Sequence, residues 1–129
     1  MSTEINAPDV MAEVRAVFDR YEAALVGNDV PTLDALFWDS PQVIRFGASE
    51  MLYGGDEIRA FRQARPSVGL ARDLVRVEIR TFGRDFATTH AEYTRTSGGR
   101  VQIGRQTQTL VRMPGLGWQI VSAHVSNMV

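Results

Sequence analysis

A chain of 129 residues with 44% hydrophobic content can bury one continuous core unaided, so a single domain over residues 1–129 is expected, and the absence of cysteine removes disulfides, thiolate metal ligands and thiol nucleophiles. Its 14 basic residues are all arginine and are spread among 15 acidic ones, which excludes lysine chemistry and argues against a nucleic-acid or membrane-surface footprint. The first nine residues have neither a basic nor an apolar signal segment, and no apolar run nears the roughly 20 residues that span a bilayer, so a cytoplasmic protein is expected.

Residues 8–25 place Val10, Val14, Val17, Phe18, Tyr21 and Leu25 at the spacing of one helical face. Gly27 and Asn28 stop that helix, and Asp29 with Pro31 opens a short second one that ends near Leu36 to Trp38. Residues 42–46 form a short strand in which Arg45 is the one charge, and residues 51–53 form another. A third helix opens at Asp56 and Glu57, buries Ile58, Phe61 and Arg65, and ends at Pro66.

Beyond Arg72 the helical period gives way to alternation. Residues 74–82 and 86–96 flank the turn at Gly83, and two further strands flank the turn at residues 114–117 to make a C-terminal hairpin. Helices followed by long antiparallel strands give an α+β domain, three N-terminal helices against a curved antiparallel sheet. This layout resembles the nuclear transport factor 2-like (cystatin-like) cone, whose sheet wraps the first helix and leaves a cavity.

The C-terminal hairpin mixes apolar with hydrogen-bonding side chains, as the wall of a polar-ligand cavity requires. Arg105 and Gln106 are neighbours on one strand, so only one faces inward; Arg105 is favoured because Val101, Ile103 and Val111 share its face. His124 shares a face with Trp118, Ile120 and Ser126. Arg45 needs an anion, which Asp39, Glu50 or a bound carboxylate could supply. Arg65 is either a second anion clamp or a cation near helix-end carbonyls, and Tyr21 is either a core tyrosine or a proton donor. With His90 and His124 as the only histidines, and no HxH, HExxH, GxSxG, GxGxxG or P-loop pattern, neither a metal site nor a nucleotide cofactor is expected.

Five runs carry a closer resemblance: RYEAALVGNDVPTLDALFW (20–38), IRFGASEMLYGGDEIRAFRQARPS (44–67), TFGRDFATTHAEY (81–93), GRQTQTLVR (104–112) and SAHVS (122–126). In order and over nearly the whole chain they resemble a family of small bacterial proteins of this fold. That family includes the oxalurate-catabolism accessory protein and the small decarboxylating amidohydrolase of cyanuric acid breakdown, and the likeness is nearer the second. It implies an enzyme that turns 1,3-dicarboxyurea into allophanate and CO2 without a cofactor, downstream of a ring-opening enzyme and of an amidase with which it would associate functionally. It also implies a catalytic pair, a helix tyrosine and a strand arginine, at Tyr21 and Arg45. Arg65, Arg105 and His124 are the candidate substrate-binding residues, with Arg65 or Arg105 on the far carboxylate. The rival readings are a non-catalytic ligand-binding or assembly subunit for a partner amidase, and an isomerase or dehydratase, which would need a carboxylate base from Glu92 or Asp39. A homodimer is expected, on the view that four long strands leave apolar groups on the outer face of the sheet.

Overall fold

The computed structural model describes residues 3–128 of the chain. Helix α1 spans Pro8–Val26, with Pro8 in its first turn and its stripe of Val10, Val14, Phe18, Tyr21 and Leu25 buried. Asn28, with φ of 51°, takes the left-handed conformation that turns the chain into α2, Val30–Leu36. The Asp29 carboxylate caps α2 by accepting from the Thr32 amide at 3.3 Å and the Thr32 hydroxyl at 2.6 Å. Strands β1 (Ile44–Phe46) and β2 (Met51–Tyr53) precede α3 (Gly55–Ala64). Four long strands follow: β3 (Asp73–Phe82), β4 (Phe86–Ser97), β5 (Arg100–Met113) and β6 (Gly117–Asn127).

All six strands make one sheet in the order β2-β1-β6-β5-β4-β3. The expectation of a wholly antiparallel sheet is corrected at one pairing: β1 lies parallel to β6, with Arg45 opposite Ala123. The crossover through the helices brings β1 beside the C-terminal strand, and so carries Arg45 onto the inner face of the sheet. One register row there runs Ile79, Thr89, Gln108, Ala123, Arg45, Leu52 across the whole sheet. On one side of it the row Thr81, Ala87, Leu110, Ile120 is buried with α1 in the apolar core. On the other side come Gln106 and Val125, then Tyr93, Gly104 and Asn127. The inner face therefore passes from an apolar closed end to a polar end, and α1 runs along both.

Three phase errors in the sequence reading have local causes. Leu110 pairs with Ile120 but Thr109 with Ser122, so Val121 is an extra residue in β6. That bulge reverses the alternation, turning Ala123 inward and His124 outward. On β5 the inward set is Gly104, Gln106, Gln108 and Leu110; Val101 and Ile103, whose apolarity favoured the opposite face, project past the core and are 64% and 46% exposed. In α3 the buried stripe is Ile58 and Arg62, and Arg65 is the extended residue that closes the helix. Arg62 ties α3 to α2 through Asp34 at 3.0 Å and lies 4.2 Å from the centroid of the Phe37 ring.

The outer face of the four long strands is mixed in character. Its middle rows present Arg76, Glu78, Arg80, Thr88, His90, Glu92, Arg105, Thr107, Thr109, Ser122, His124 and Ser126, charged and hydroxylated, while toward its two ends Phe82, Phe86, Val101 and Ile103 are apolar and each at least 40% exposed. Further exposed apolar groups lie at the β1–β2 edge, where Ile44, Met51 and Tyr53 surround Phe46.

Gly104 is a packing requirement. A Cβ built on it would stand 2.1 Å from Tyr93 Cζ, because the tyrosine ring lies directly over the neighbouring strand. Replacing it must push Tyr93 off the sheet. Gly104→Ala should therefore lower stability by about 1–3 kcal/mol, seen as a lower denaturant midpoint at unchanged m-value.

Candidate active site

The polar end of the inner face encloses a cavity of about 170 Å³. Helix α1 contributes Tyr21 and Leu25, β1 contributes Arg45, and the β1–β2 turn contributes Ala48 and Glu50. Phe61, Arg65, Leu70 and Arg72 come from α3 and the segment that follows it, and Tyr93, Arg95, Gln106, Val125 and Asn127 from the long strands. The volume is well below the roughly 300–1,000 Å³ of sites for drug-sized ligands, so the occupant is small.

Four guanidinium groups reach this space. Arg45, 8% exposed, donates from Nη1 to Glu50 Oε1 at 2.8 Å and lies 5.3 Å from the Phe61 ring centroid. Burial works to raise the Glu50 carboxyl, but hydrogen bonds from Arg45 and Ser49 prevail and hold it below its ordinary value. Arg72, whose side chain is 1% exposed, donates from Nε and Nη2 to the two oxygens of Glu22 at 3.0 and 2.6 Å, and from Nη2 to Gln106 Oε1 at 3.1 Å. Burial opposes its charge, and Glu22 more than offsets that.

Arg65 and Arg95 differ from these two, because neither has a carboxylate partner among the described residues. Arg65 Nε and Nη2 and Arg95 Nε are buried with no hydrogen-bond acceptor there. Arg65 lies against Phe61 at 5.8 Å, and burial followed by the neighbouring charge of Arg45 holds its guanidinium below the usual arginine range. Arg95 lies 5.3 Å from the Tyr93 centroid and donates from Nη2 to the Leu70 carbonyl at 3.3 Å. Arg72 lies 4.3 Å from the same centroid. Aromatic faces thus carry charge that carboxylates do not.

Neutral donors complete the lining. Tyr21 is 3% exposed, its ring tilted at 6.2 Å from Phe37, and its hydroxyl bonds to no protein group among the described residues. Its ring is part of the buried core cluster, so packing is one of its roles whatever the hydroxyl does. The Tyr93 hydroxyl and Gln106 Nε2 are buried and likewise lack a protein partner among the described residues.

Of the residues picked from sequence, Tyr21, Arg45 and Arg65 come together at the cavity, and Arg105 and His124 do not. Arg105 is exposed on the outer face, and Gln106 takes the inward place. His124 is also outside, edge-on to Phe46 with centroids 5.8 Å apart. Arg72, Tyr93 and Arg95 were missed, and Gln106 was weighed against Arg105 and not favoured. The even-numbered phase of Gln106, Gln108 and Leu110 was the available signal for Gln106. Nothing local marks Arg72 or Arg95, whose partners Glu22 and Leu70 lie 50 and 25 residues away.

The anion on Arg45 is Glu50, and Asp39 bonds to Arg59 instead. Arg45→Met leaves Glu50 charged and partly buried, and should cost about 3 kcal/mol. Adding Glu50→Gln should restore most of that loss in chemical denaturation. Activity should stay low in both variants, since the cation that would hold a ligand is missing from each.

A family described as AtzH-like matches residues 3–129 of the chain. No curated protein matches it. Among solved structures, a protein of unknown function of the DUF3225 family from Pectobacterium atrosepticum is 56% identical over 97% of this chain and 95% of its own, with a TM-score of 0.92. A cystatin-like fold protein from Burkholderia xenovorans is 45% identical over 99% and 98%, with a TM-score of 0.91. An NTF2-like protein from Pseudomonas putida, 21% identical over 93% and 87% with a TM-score of 0.79, shares the fold. The architecture is the cystatin-like, NTF2-like α+β fold, three helices against a six-stranded mixed sheet.

Proposed function

Because the chain belongs to the AtzH-like family, and because its cavity sets four guanidinium groups against two carboxylates, we propose that it is a decarboxylating amidohydrolase converting 1,3-dicarboxyurea to allophanate and CO2. The observation that carries the reading is the charge count. Arg45 and Arg72 are matched by Glu50 and Glu22, whereas Arg65 and Arg95 are matched by nothing among the described residues, which leaves two positive charges uncompensated. Both are half-buried, so their charges are partly desolvated, and a small dianion would balance the site. A flat acylurea with a carboxylate at each end has the charge, size and planarity to do so.

The chemistry follows from an N-carboxylate. The bond between nitrogen and the carboxylate carbon breaks, its electron pair passes to nitrogen, a proton joins that nitrogen, and CO2 departs. Protonation at nitrogen makes the electron pair available to the leaving amide without building a free anion. Tyr21, with an unengaged hydroxyl at the cavity wall, is the donor. The transient phenolate would be met by the charges of Arg62, Arg65 and Arg72, each of which interacts electrostatically with Tyr21, and solvent returns the proton. Arg45 fixes the reacting end, exchanging Glu50 for a substrate carboxylate of the same chemistry.

Isomerase or dehydratase chemistry is less well supported. Glu92 and Asp39 are both exposed or half-exposed outside the cavity, and the carboxylates that do approach it are already tied to arginine.

Partners form part of the same proposal. An N-carboxylate loses CO2 readily by itself, which favours functional association with the amidase that produces it. The apolar β1–β2 edge is the surface a second copy would cover in a homodimer. Sedimentation at micromolar concentration should give twice the monomer mass, and a monomer would remove this part.

Tyr21→Phe tests the catalytic assignment. It deletes one hydroxyl that holds no protein group among the described residues, so the melting temperature should change little while kcat falls about 10²-fold or more. KM should shift only slightly. Turnover within a few-fold of the parent would leave Tyr21 as a packing residue.

A further inference from the structure

Two arginines on this cavity use the same edge of the guanidinium differently. Arg72 presents Nε and Nη2, the side-on fork, to both oxygens of Glu22 at 3.0 and 2.6 Å. Arg65 presents the same two atoms, Nε and Nη2, both buried and neither with an acceptor among the described residues. The first pair shows what this fork binds when a carboxylate is supplied. The second is that fork without one, at the wall of the same cavity.

Other donors without partners stand around it. Arg95 Nε is buried and unpaired, and Arg95 acts on Arg65 as a like charge. Both arginines are half-buried, and an anion bound beside them would offset their mutual repulsion and accept from the buried nitrogens. The Tyr93 hydroxyl, in a residue 2% exposed, and Gln106 Nε2, in another 2% exposed, also line the cavity without acceptors among the described residues. Each is a hydrogen-bond donor removed from water, which is costly unless a ligand or water accepts from it.

We infer that Arg65 and Arg95 form a carboxylate subsite separate from the Arg45–Glu50 pair, with the side-on fork of Arg65 as its main contact. The Tyr93 hydroxyl and Gln106 amide are its neutral donors. This deepens the proposed function and rests on it only for the identity of the substrate. The subsite takes the carboxylate that is kept, and Arg45 takes the one that is lost. It differs from Arg45 in needing no protein carboxylate to move aside. It sets the requirement that a ligand carry a carboxylate at the retained end.

Glutarate and its monoamide, glutaramate, are stable probes, since their termini are separated by the same number of chain atoms as those of 1,3-dicarboxyurea. Calorimetric titration should show both binding to the parent. Arg65→Lys keeps the charge and loses the fork, and should weaken both ligands by about tenfold or more. Arg95→Gln should weaken both by about three- to tenfold. Arg45→Met with Glu50→Gln should weaken glutarate but leave glutaramate within about threefold of the parent, because the single carboxylate sits elsewhere. Melting temperatures within a few degrees of the parent show that each variant is folded; Arg65→Gln is the second variant if lysine itself unfolds the site. Parent-like affinity for both probes in Arg65→Lys and Arg95→Gln would overturn the subsite, as would no binding by the parent. The outcome is independent of turnover: a protein that binds glutaramate through Arg65 yet leaves 1,3-dicarboxyurea untouched keeps the subsite and loses the reaction.

Discussion

Four guanidinium groups share the polar end of one small cavity, and two of them have no carboxylate among the described residues to balance them. The surrounding structure is arranged to tolerate this. Phe61 offers its ring to Arg45 and Arg65, and Tyr93 offers its ring to Arg72 and Arg95, so the charges rest on π faces where carboxylates are lacking. Tyr93 can lie flat there because residue 104 has no side chain. The apolar closed end, where α1 meets the row from Thr81 to Ile120, supplies the burial that offsets the unfavourable polar end.

The two internal carboxylates have different standing. Glu22 meets Arg72 through both oxygens, and Gln106 adds its own bond to the same nitrogen. That pair is a fixed wall which orients Gln106. Glu50 meets Arg45 through one oxygen, accepts from the Ser49 amide and hydroxyl through the other at 3.3 and 2.9 Å, and sits on a short turn where Gly47 leaves it room: a Cβ at that glycine would fall 1.6 Å from Glu50 Oε1. In the proposed reaction this is the carboxylate that a substrate replaces, since only one bond joins it to its arginine. In the proposed reading the two ion pairs and the side-on fork of Arg65 serve the two ends of one ligand.

Much of this could be read in the sequence, and the failures have physical causes. The stripe of α1 put Tyr21 on the buried face, and a lone arginine in an apolar strand put Arg45 in the interior; both depend only on local period. Arg65 reaches the cavity too, although the route was misread: it is the extended residue after α3, and Arg62 occupies the stripe. Alternation failed on β6 because one bulged residue, Val121, reverses every side chain beyond it, which put His124 outside. On β5 it failed because the strand outruns the core, so that Val101 and Ile103 gave an apolar signal without being buried and drew Arg105 inward in their place. Arg72 and Arg95 were illegible since their roles arise from contacts with distant parts of the chain. The AtzH-like family match agrees with the resemblance seen in the motifs, and it bears on the whole chain and not on any one of these residues.

The central claim is that balancing this charge with a dicarboxylated acylurea leads to loss of CO2. The direct measurement generates 1,3-dicarboxyurea in situ with an upstream amidase and follows allophanate through an allophanate-consuming enzyme, with and without the protein. The account predicts allophanate formation well above the spontaneous rate, proportional to protein concentration and saturating with substrate. Allophanate appearing only at the spontaneous rate, while the protein binds a stable dicarboxylate, would contradict it and leave a ligand-binding subunit in its place.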